Sequence, residues 1–126
     1  MKKSNLIAFL IVTGLLLACN KEEHWKTSVD GISNITAYSA QLTVNYDFGG
    51  KSTKTMAGVD IGTTPDMETN FTRYQHEQSS NGSINFNPSQ LYADQTYYVR
   101  SYMEGRKGIV YSEIMSFTTL SEPSLS

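Results

Sequence analysis

Apolar and polar residues alternate along short segments of the chain, and glycine, proline and asparagine interrupt these segments at short intervals. Segment 40–46 shows the pattern clearly, since every second residue is apolar: Ala40, Leu42, Val44 and Tyr46. An alternation of period two is typical of a β-strand that buries one face. The pattern therefore predicts strands, and no segment after residue 20 has a helical period of adequate length.

Seven such strands are expected in about 90 residues, with turn signals between them. This spacing predicts an all-β fold, a seven-stranded antiparallel immunoglobulin-like sandwich, with a small open barrel as the alternative. Segment 71–78 is expected to be a polar edge strand. The positions expected to face the core are Leu42, Val44, Tyr46, Val59, Ile61, Phe86, Leu91, Tyr97, Val99 and Phe117.

One acidic residue breaks the alternation of the last strand, 109–119. If Met115 and Phe117 face inward, strict alternation would also bury Glu113, and an unpaired buried carboxylate is costly. We therefore expect a bulge, or the end of the sandwich, near Ser112.

The first eighteen residues form a different kind of segment. Lys2 and Lys3 precede an apolar run that continues to Ala18, which is the order of a signal peptide. The run of about thirteen residues would make roughly 20 Å of helix, whereas a hydrocarbon core is about 30 Å thick. Residues 1–18 are therefore predicted to be a removable export segment and not a membrane span.

The end of this segment, Leu16-Leu17-Ala18-Cys19, resembles the lipobox of bacterial lipoproteins. The resemblance implies that Cys19, the sole cysteine, carries a diacylglyceryl group and an amide-linked acyl chain, which together anchor the protein stably in a membrane. An ordinary secretory signal with an incidental cysteine is the alternative.

The residues after the cysteine, Asn20-Lys21-Glu22-Glu23, resemble the export signal that sends Bacteroidetes lipoproteins to the outer face of the outer membrane. The expected location is the outer membrane, lipid-anchored and exposed at the cell surface. A charged, solvated tether is the alternative interpretation of these four residues. The expected organisation is a signal peptide (1–18), a lipidated tether (19–26), a folded domain (27–120) and a polar tail (121–126).

Segment 91–102, Leu-Tyr-Ala-Asp-Gln-Thr-Tyr-Tyr-Val-Arg-Ser-Tyr, resembles the corner between strands E and F of fibronectin type III domains. The resemblance covers nearly the whole predicted domain and implies this type of sandwich. It also implies that Tyr97 is a structural tyrosine-corner residue, whose hydroxyl bonds a backbone group a few residues upstream. Ala93 stands where the family usually has proline, so the turn is less rigidly preset.

The charges and candidate chemical groups exclude several functions. Lys2 and Lys3 belong to the signal peptide, so 8 of the 10 basic residues remain against 12 acidic ones, and the formal charge of the rest is −4. Scattered basic residues and this charge argue against a nucleic-acid partner. His76 is expected to be an exposed strand residue, and His24 belongs to the tether. Four carboxylates near predicted loops are expected to serve turns and solubility: Asp47, Asp60, Asp66 and Glu68.

The sequence thus predicts no catalytic residue, metal site or cofactor. If Tyr97 and Val99 face the core, then Tyr98, Arg100 and Tyr102 form an outward stripe that could contact a sugar or a protein side chain. Cross-strand pairing that only stabilises the sheet is the alternative. We expect a non-enzymatic surface module for binding, adhesion or scaffolding, and the alternative function is a carbohydrate-binding accessory of glycan uptake.

Overall fold

The computed structural model describes residues 24–123. The predicted signal peptide, the lipid site Cys19, the tether up to residue 23 and the last three residues of the tail lie outside the described residues. Among residues 24–123, no helix is long and apolar enough to cross a membrane. The strands are β1 (Lys26–Ser33), β2 (Gln41–Asp47), β3 (Thr55–Gly62), β4 (Phe71–Gln78), β5 (Gly82–Phe86), β6 (Thr96–Gly105), β7 (Gly108–Tyr111) and β8 (Met115–Thr118).

These strands form two antiparallel sheets. The first has three strands in the order β1-β2-β5, and the second has five, in the order β4-β3-β6-β7 with β8 also paired to β6. The predicted sandwich is confirmed, and so is the position of β4 at an edge. Two separate sheets exclude the barrel, because closure would require hydrogen bonds that join the sheets at both sides.

The core lies between the two sheets. All ten positions expected to face inward are either in the buried core or packed against it. In β2 the burial alternates along the whole strand, with Leu42, Val44 and Tyr46 fully buried. Period-two patterning was sufficient to identify these positions because each strand of a sandwich buries one face.

The predicted bulge explains why eight strands are present instead of seven. Tyr102 pairs with Tyr111, whereas Val99 pairs with Met115, so the later strand contains one extra residue between these pairs. The insertion divides the last strand into β7 and β8. Glu113 lies in the interruption and is exposed, so its carboxylate is not buried without a partner.

The folded region begins earlier than the sequence suggested. Trp25 is only 8% exposed, and its ring meets that of Phe48 edge to face at a centroid distance of 5.0 Å. Lys26 is the first residue of β1. Trp25 and Lys26, which we assigned to the tether, therefore belong to the sandwich, because burying the indole outweighs the polar context around it.

The corner before β6 is held by side-chain bonds to the backbone. The Tyr92 N–H donates to the hydroxyl of Tyr97 at 2.8 Å, which is the contact of a tyrosine corner. Thr119 adds a second link, because its hydroxyl donates to the Tyr92 carbonyl at 2.6 Å and accepts from the Gln95 N–H at 3.0 Å. These bonds fix the start of β6, the strand that carries Tyr98, Arg100 and Tyr102.

Candidate binding face on the five-stranded sheet

The outer face of the five-stranded sheet carries the candidate site. Residues opposite each other in antiparallel strands share a face, so the register shows which side chains meet. Three rows cross this face: Phe71, Gly62, Tyr98 and Ser116; Arg73, Asp60 and Arg100; and Gln75, Gly58, Tyr102 and Tyr111. We use the term arginine–aromatic cluster for Asp60, Phe71, Arg73, Arg100, Tyr102 and Tyr111.

Asp60 lies at the centre of the cluster and is fully buried. Arg73 donates to it from both Nε, at 2.7 Å, and Nη2, at 2.8 Å, while Arg100 donates from Nε at 3.0 Å. Two arginines thus satisfy one carboxylate, and the bidentate contact with Arg73 is the stronger kind of pair. The expectation that Asp60 serves a loop is wrong, because it lies within β3 between two cationic strand neighbours.

Aromatic rings enclose both guanidinium groups. The Cζ atom of Arg73 lies 4.1 Å from the ring centroid of Tyr102 and 5.5 Å from that of Phe71. The Cζ atom of Arg100 lies 3.8 Å from the ring centroid of Tyr111 and 5.3 Å from that of Phe71. These distances are within the range of cation–π attraction, so the rings and Asp60 together hold the guanidinium planes in place.

The pKa shifts of Arg73 and Tyr102 favour a charged guanidinium and a neutral phenol. The hydrogen bond to Asp60 raises the pKa of the Arg73 guanidinium, against the opposing effect of burial. Burial also raises the pKa of the Tyr102 phenol. At neutral pH, Arg73 is therefore a cation stacked on a neutral ring, and the two arginines carry one more charge than Asp60 balances.

The predicted stripe of Tyr98, Arg100 and Tyr102 faces outward, but its members differ in access. Tyr102 is fully buried, since the guanidinium of Arg73 covers its ring and its hydroxyl donates to the Tyr74 carbonyl at 3.4 Å. Ligand contact by Tyr102 is therefore excluded by its burial. Tyr98 is half-buried and the side chain of Arg100 is 13% exposed, so both can still be reached from solvent.

Arg100 uses only part of its hydrogen-bonding capacity inside the protein. Its Nε bonds Asp60, and within residues 24–123 no hydrogen bond involves its two terminal nitrogens. Among these residues, His76 Nδ1 is the only buried side-chain nitrogen or oxygen without a partner. The terminal nitrogens of Arg100 are therefore open to solvent, and they offer a rigidly held pair of donors to a ligand.

His76 differs from the expectation that it is exposed. Its ring is half-buried, with centroids 5.5 Å from those of both Tyr46 and Phe86, and its Nε2 lies 2.8 Å from Oε1 of Gln78. The prediction failed because His76 lies opposite Ala57, on the side of β4 that faces the core. It contributes to packing at the edge of the sandwich.

The remaining candidate carboxylates have structural roles. Asp47 accepts from the Gly49 N–H at 2.7 Å, and Asp66 accepts from the Glu68 N–H at 3.1 Å, so both stabilise turns as expected. An open groove of about 450 Å³ lies beside Asp47, between β1 and the segment 110–113. The described part of the chain contains no group of three or more histidine, cysteine or acidic residues placed to hold a metal ion.

Solved structures of the same shape come from bacteria and from humans. The sensor domain of the anti-sigma factor RsgI4 of Pseudobacteroides cellulosolvens has a TM-score of 0.65 at 16% identity, over 79% of this chain and 97% of that one. The sixth fibronectin type III domain of human fibronectin type III domain containing protein 3 has a TM-score of 0.60 at 17% identity, over 79% and 88% of the two chains. The chain has the fibronectin type III fold. No protein-family model matches it, and no curated protein sequence matches it either.

Three members of the arginine–aromatic cluster were not identified as site residues from the sequence: Phe71, Arg73 and Tyr111. Phe71 and Arg73 are two residues apart on β4 and thus share a face. Tyr111 is opposite Tyr102 across β6 and β7. The same alternation that identified Tyr98 and Arg100 assigns each of these residues to a face, but only the register shows that the faces adjoin.

Proposed function

We propose that the chain is a non-enzymatic lipoprotein of the bacterial outer membrane, anchored through lipid on Cys19, whose fibronectin type III fold binds another molecule at the cell surface. The membrane part of the proposal rests on the lipobox-like segment 16–19 and on Lys21-Glu22-Glu23 behind it. Adhesion and scaffolding are the roles that such a module would serve. Sensing is included because one structure of this fold is a bacterial sensor domain.

The observation that carries the binding role is that Arg100 is held in place while its terminal nitrogens have no hydrogen-bond partner among the described residues. Its guanidinium is held by Asp60 and by the Tyr111 ring, yet its terminal nitrogens have no partner among residues 24–123. A donor pair that is fixed before binding loses little conformational entropy when a ligand arrives. Tyr98 lies beside Arg100, one row along the sheet, and adds a half-buried aromatic surface.

The same geometry favours binding over catalysis. Asp60 accepts three hydrogen bonds from Arg73 and Arg100 and is fully buried. A carboxylate in this position cannot meet a substrate. Its contribution is to position the two arginines.

Carbohydrate binding, as an accessory of glycan uptake, is the second candidate. Tyrosine and phenylalanine rings next to a guanidinium provide both a stacking surface and hydrogen-bond donors, which are the two requirements of a sugar ring. Phe71, Tyr98 and Tyr111 supply such rings around Arg100, and Tyr111 is 42% exposed.

A binding screen with two matched tyrosine variants tests the proposal. The chain from Asn20 onward, which retains all described residues, is applied to a glycan array and used to capture partners from cell-envelope extracts. We expect Tyr98→Ala to weaken the selected ligand about tenfold, a typical loss for one aromatic contact. Tyr92, which is 76% exposed and lies in the corner before β6, outside the strands that form this face, provides the control Tyr92→Ala with unchanged binding.

The type of ligand decides between the two candidates. A selective glycan indicates the carbohydrate-binding role, and a protein partner indicates the scaffold or adhesion role. Equal binding by both variants and the wild-type chain would show that the outer face of the five-stranded sheet is not the site.

A further inference from the structure

The edge of the five-stranded sheet at β7 and β8 has an unusual surface. Eight large hydrophobic side chains are exposed among the described residues, and four of them lie in segment 109–115: Ile109, Tyr111, Ile114 and Met115, each between 38% and 42% exposed. An exposed apolar edge strand offers a template on which another strand can pair. Natural sandwiches usually protect such edges.

The other edges of this molecule are protected. β1 has a register shift between Val29 and Gly31, and it carries charges at Lys26 and Asp30. β5 presents polar Ser83 and Asn85, and β4 is largely polar. Bulges and charged or polar side chains are the devices that discourage strand pairing. The bulge of the last strand lies beyond Tyr111, so the four residues of β7 itself form a regular edge, and Ile109 and Tyr111 on it are apolar and exposed.

The backbone of β7 is oriented for pairing. The Ser112 N–H donates to the Ser101 carbonyl at 3.0 Å, so the backbone groups of Ser112 point towards β6. Successive residues of an antiparallel strand point their N–H and C=O groups to alternate sides. The backbone groups of Ile109 and Tyr111 therefore point away from the sheet, next to their exposed side chains.

We propose that β7 pairs antiparallel with β7 of a second copy of this chain, with Val110 on the two-fold axis, to form one continuous sheet. In this register Ile109 of each copy lies opposite Tyr111 of the other. Both residues point their backbone groups outward, so they form two hydrogen-bonded pairs. Two neighbouring sheets of five strands become a single sheet of ten, and their outer faces adjoin.

The charges around β7 identify the second copy as the occupant. The sequence 107–113, Lys-Gly-Ile-Val-Tyr-Ser-Glu, is self-complementary when read in opposite directions. Pairing of the two β7 strands about Val110 brings Lys107, in the turn directly before β7, to the same end as Glu113 of the other copy, which follows β7 in the interruption, and the apolar residues lie in the middle. Pairing about Ile109 instead sets Glu113 opposite Gly105, so its charge is not balanced. Opposite charges favour the first register, and the unbalanced charge of Glu113 disfavours the second.

A disulfide test measures the register directly. The backbone groups of Val110 point towards β6, so Val110 faces its counterpart in a non-hydrogen-bonded pair with Cα atoms about 4.5 Å apart, which a disulfide can bridge. The full chain with Val110→Cys is expressed in bacteria, and intact cells are treated with a mild oxidant. We expect a disulfide-linked dimer on a non-reducing gel.

Two controls accompany this experiment. The wild-type chain, whose sole cysteine is Cys19, is expected to show no disulfide-linked dimer on the non-reducing gel. Ile109→Cys is expected to show none either, because residue 109 of the second copy lies diagonally across the axis. A retained thermal unfolding transition of each variant establishes that it is folded. Absence of a dimer in folded Val110→Cys, or equal yields for Val110→Cys and Ile109→Cys, would overturn the proposal.

A charge exchange tests the same pairing independently. In the Val110→Cys background, Glu113→Lys sets like charges opposite each other and is expected to lower the dimer yield at least threefold. Adding Lys107→Glu restores opposite charges and should return the yield to within twofold of the starting value. Glu113 is exposed, so its replacement does not alter the core. If the double exchange leaves the yield as low as Glu113→Lys alone, the pairing about Val110 is wrong.

Discussion

Asp60→Ala is expected to destabilise the sandwich by about 3 kcal/mol, which is the scale for removing one partner of a buried ion pair. The substitution leaves Arg73 and Arg100 next to each other without the carboxylate that separates them. Their side chains are only 25% and 13% exposed, so water replaces Asp60 incompletely. The free energy of unfolding, measured by urea titration at neutral pH, gives the cost.

Two further variants show whether an uncompensated charge is the cause. Asp66→Ala removes an exposed carboxylate that serves a turn, and we expect it to cost less than about 1 kcal/mol. Replacing Asp60 by leucine and both arginines by methionine removes every charge, and it should cost less than Asp60→Ala alone. A loss below 1 kcal/mol for Asp60→Ala would show that Asp60 is not the organising residue of the cluster.

Gly58→Ala is expected to cost about 3 kcal/mol or more, because the clash it creates involves the backbone. A Cβ atom at residue 58 would lie 1.7 Å from the carbonyl oxygen of Tyr74 and 2.8 Å from its carbonyl carbon. It would also lie 3.1 Å from Cε2 of Tyr102. Relief requires β3 and β4 to separate, which also disturbs the stack of Arg73 on Tyr102, and overpacking of this kind exceeds the usual range of 1–3 kcal/mol.

Gly82 provides the control for this substitution. It is also a strand glycine, in β5, but a Cβ atom there would have no neighbour within 4 Å. Gly82→Ala should therefore leave the free energy of unfolding within about 0.5 kcal/mol of the wild-type value. Equal effects of the two substitutions would show that the close approach of β3 and β4 has no energetic consequence.

Much of the fold could be predicted because the relevant signals are local. Alternation identified Leu42, Val44 and Tyr46 as core residues, since a strand in a sandwich repeats every two residues. The cost of burying Glu113 located the bulge that divides the last strand. Trp25 was missed because it precedes the first alternating segment and follows charged residues, so nothing in its immediate surroundings indicated burial.

The candidate site could be predicted only in part, because it depends on register across four strands. The alternation of side chains along β6 correctly predicted that Arg100 lies on the outer face. The burial of Asp60 could not be inferred, since it requires Arg73 and Arg100 as neighbours on both sides. The burial of Tyr102 could not be inferred either, because the guanidinium that covers its ring belongs to Arg73 on β4, which is not adjacent to β6 in the sheet.

Site-specific photo-crosslinking on intact cells is the most direct test of the claim that the outer face of the five-stranded sheet binds a partner. A photoreactive amino acid replaces Tyr98 in the full chain, and the same amino acid replaces Tyr92 in a parallel sample. The account predicts a defined adduct from position 98 and none from position 92. An adduct from position 92 alone would place the binding surface at the corner before β6 and contradict the assignment of the site.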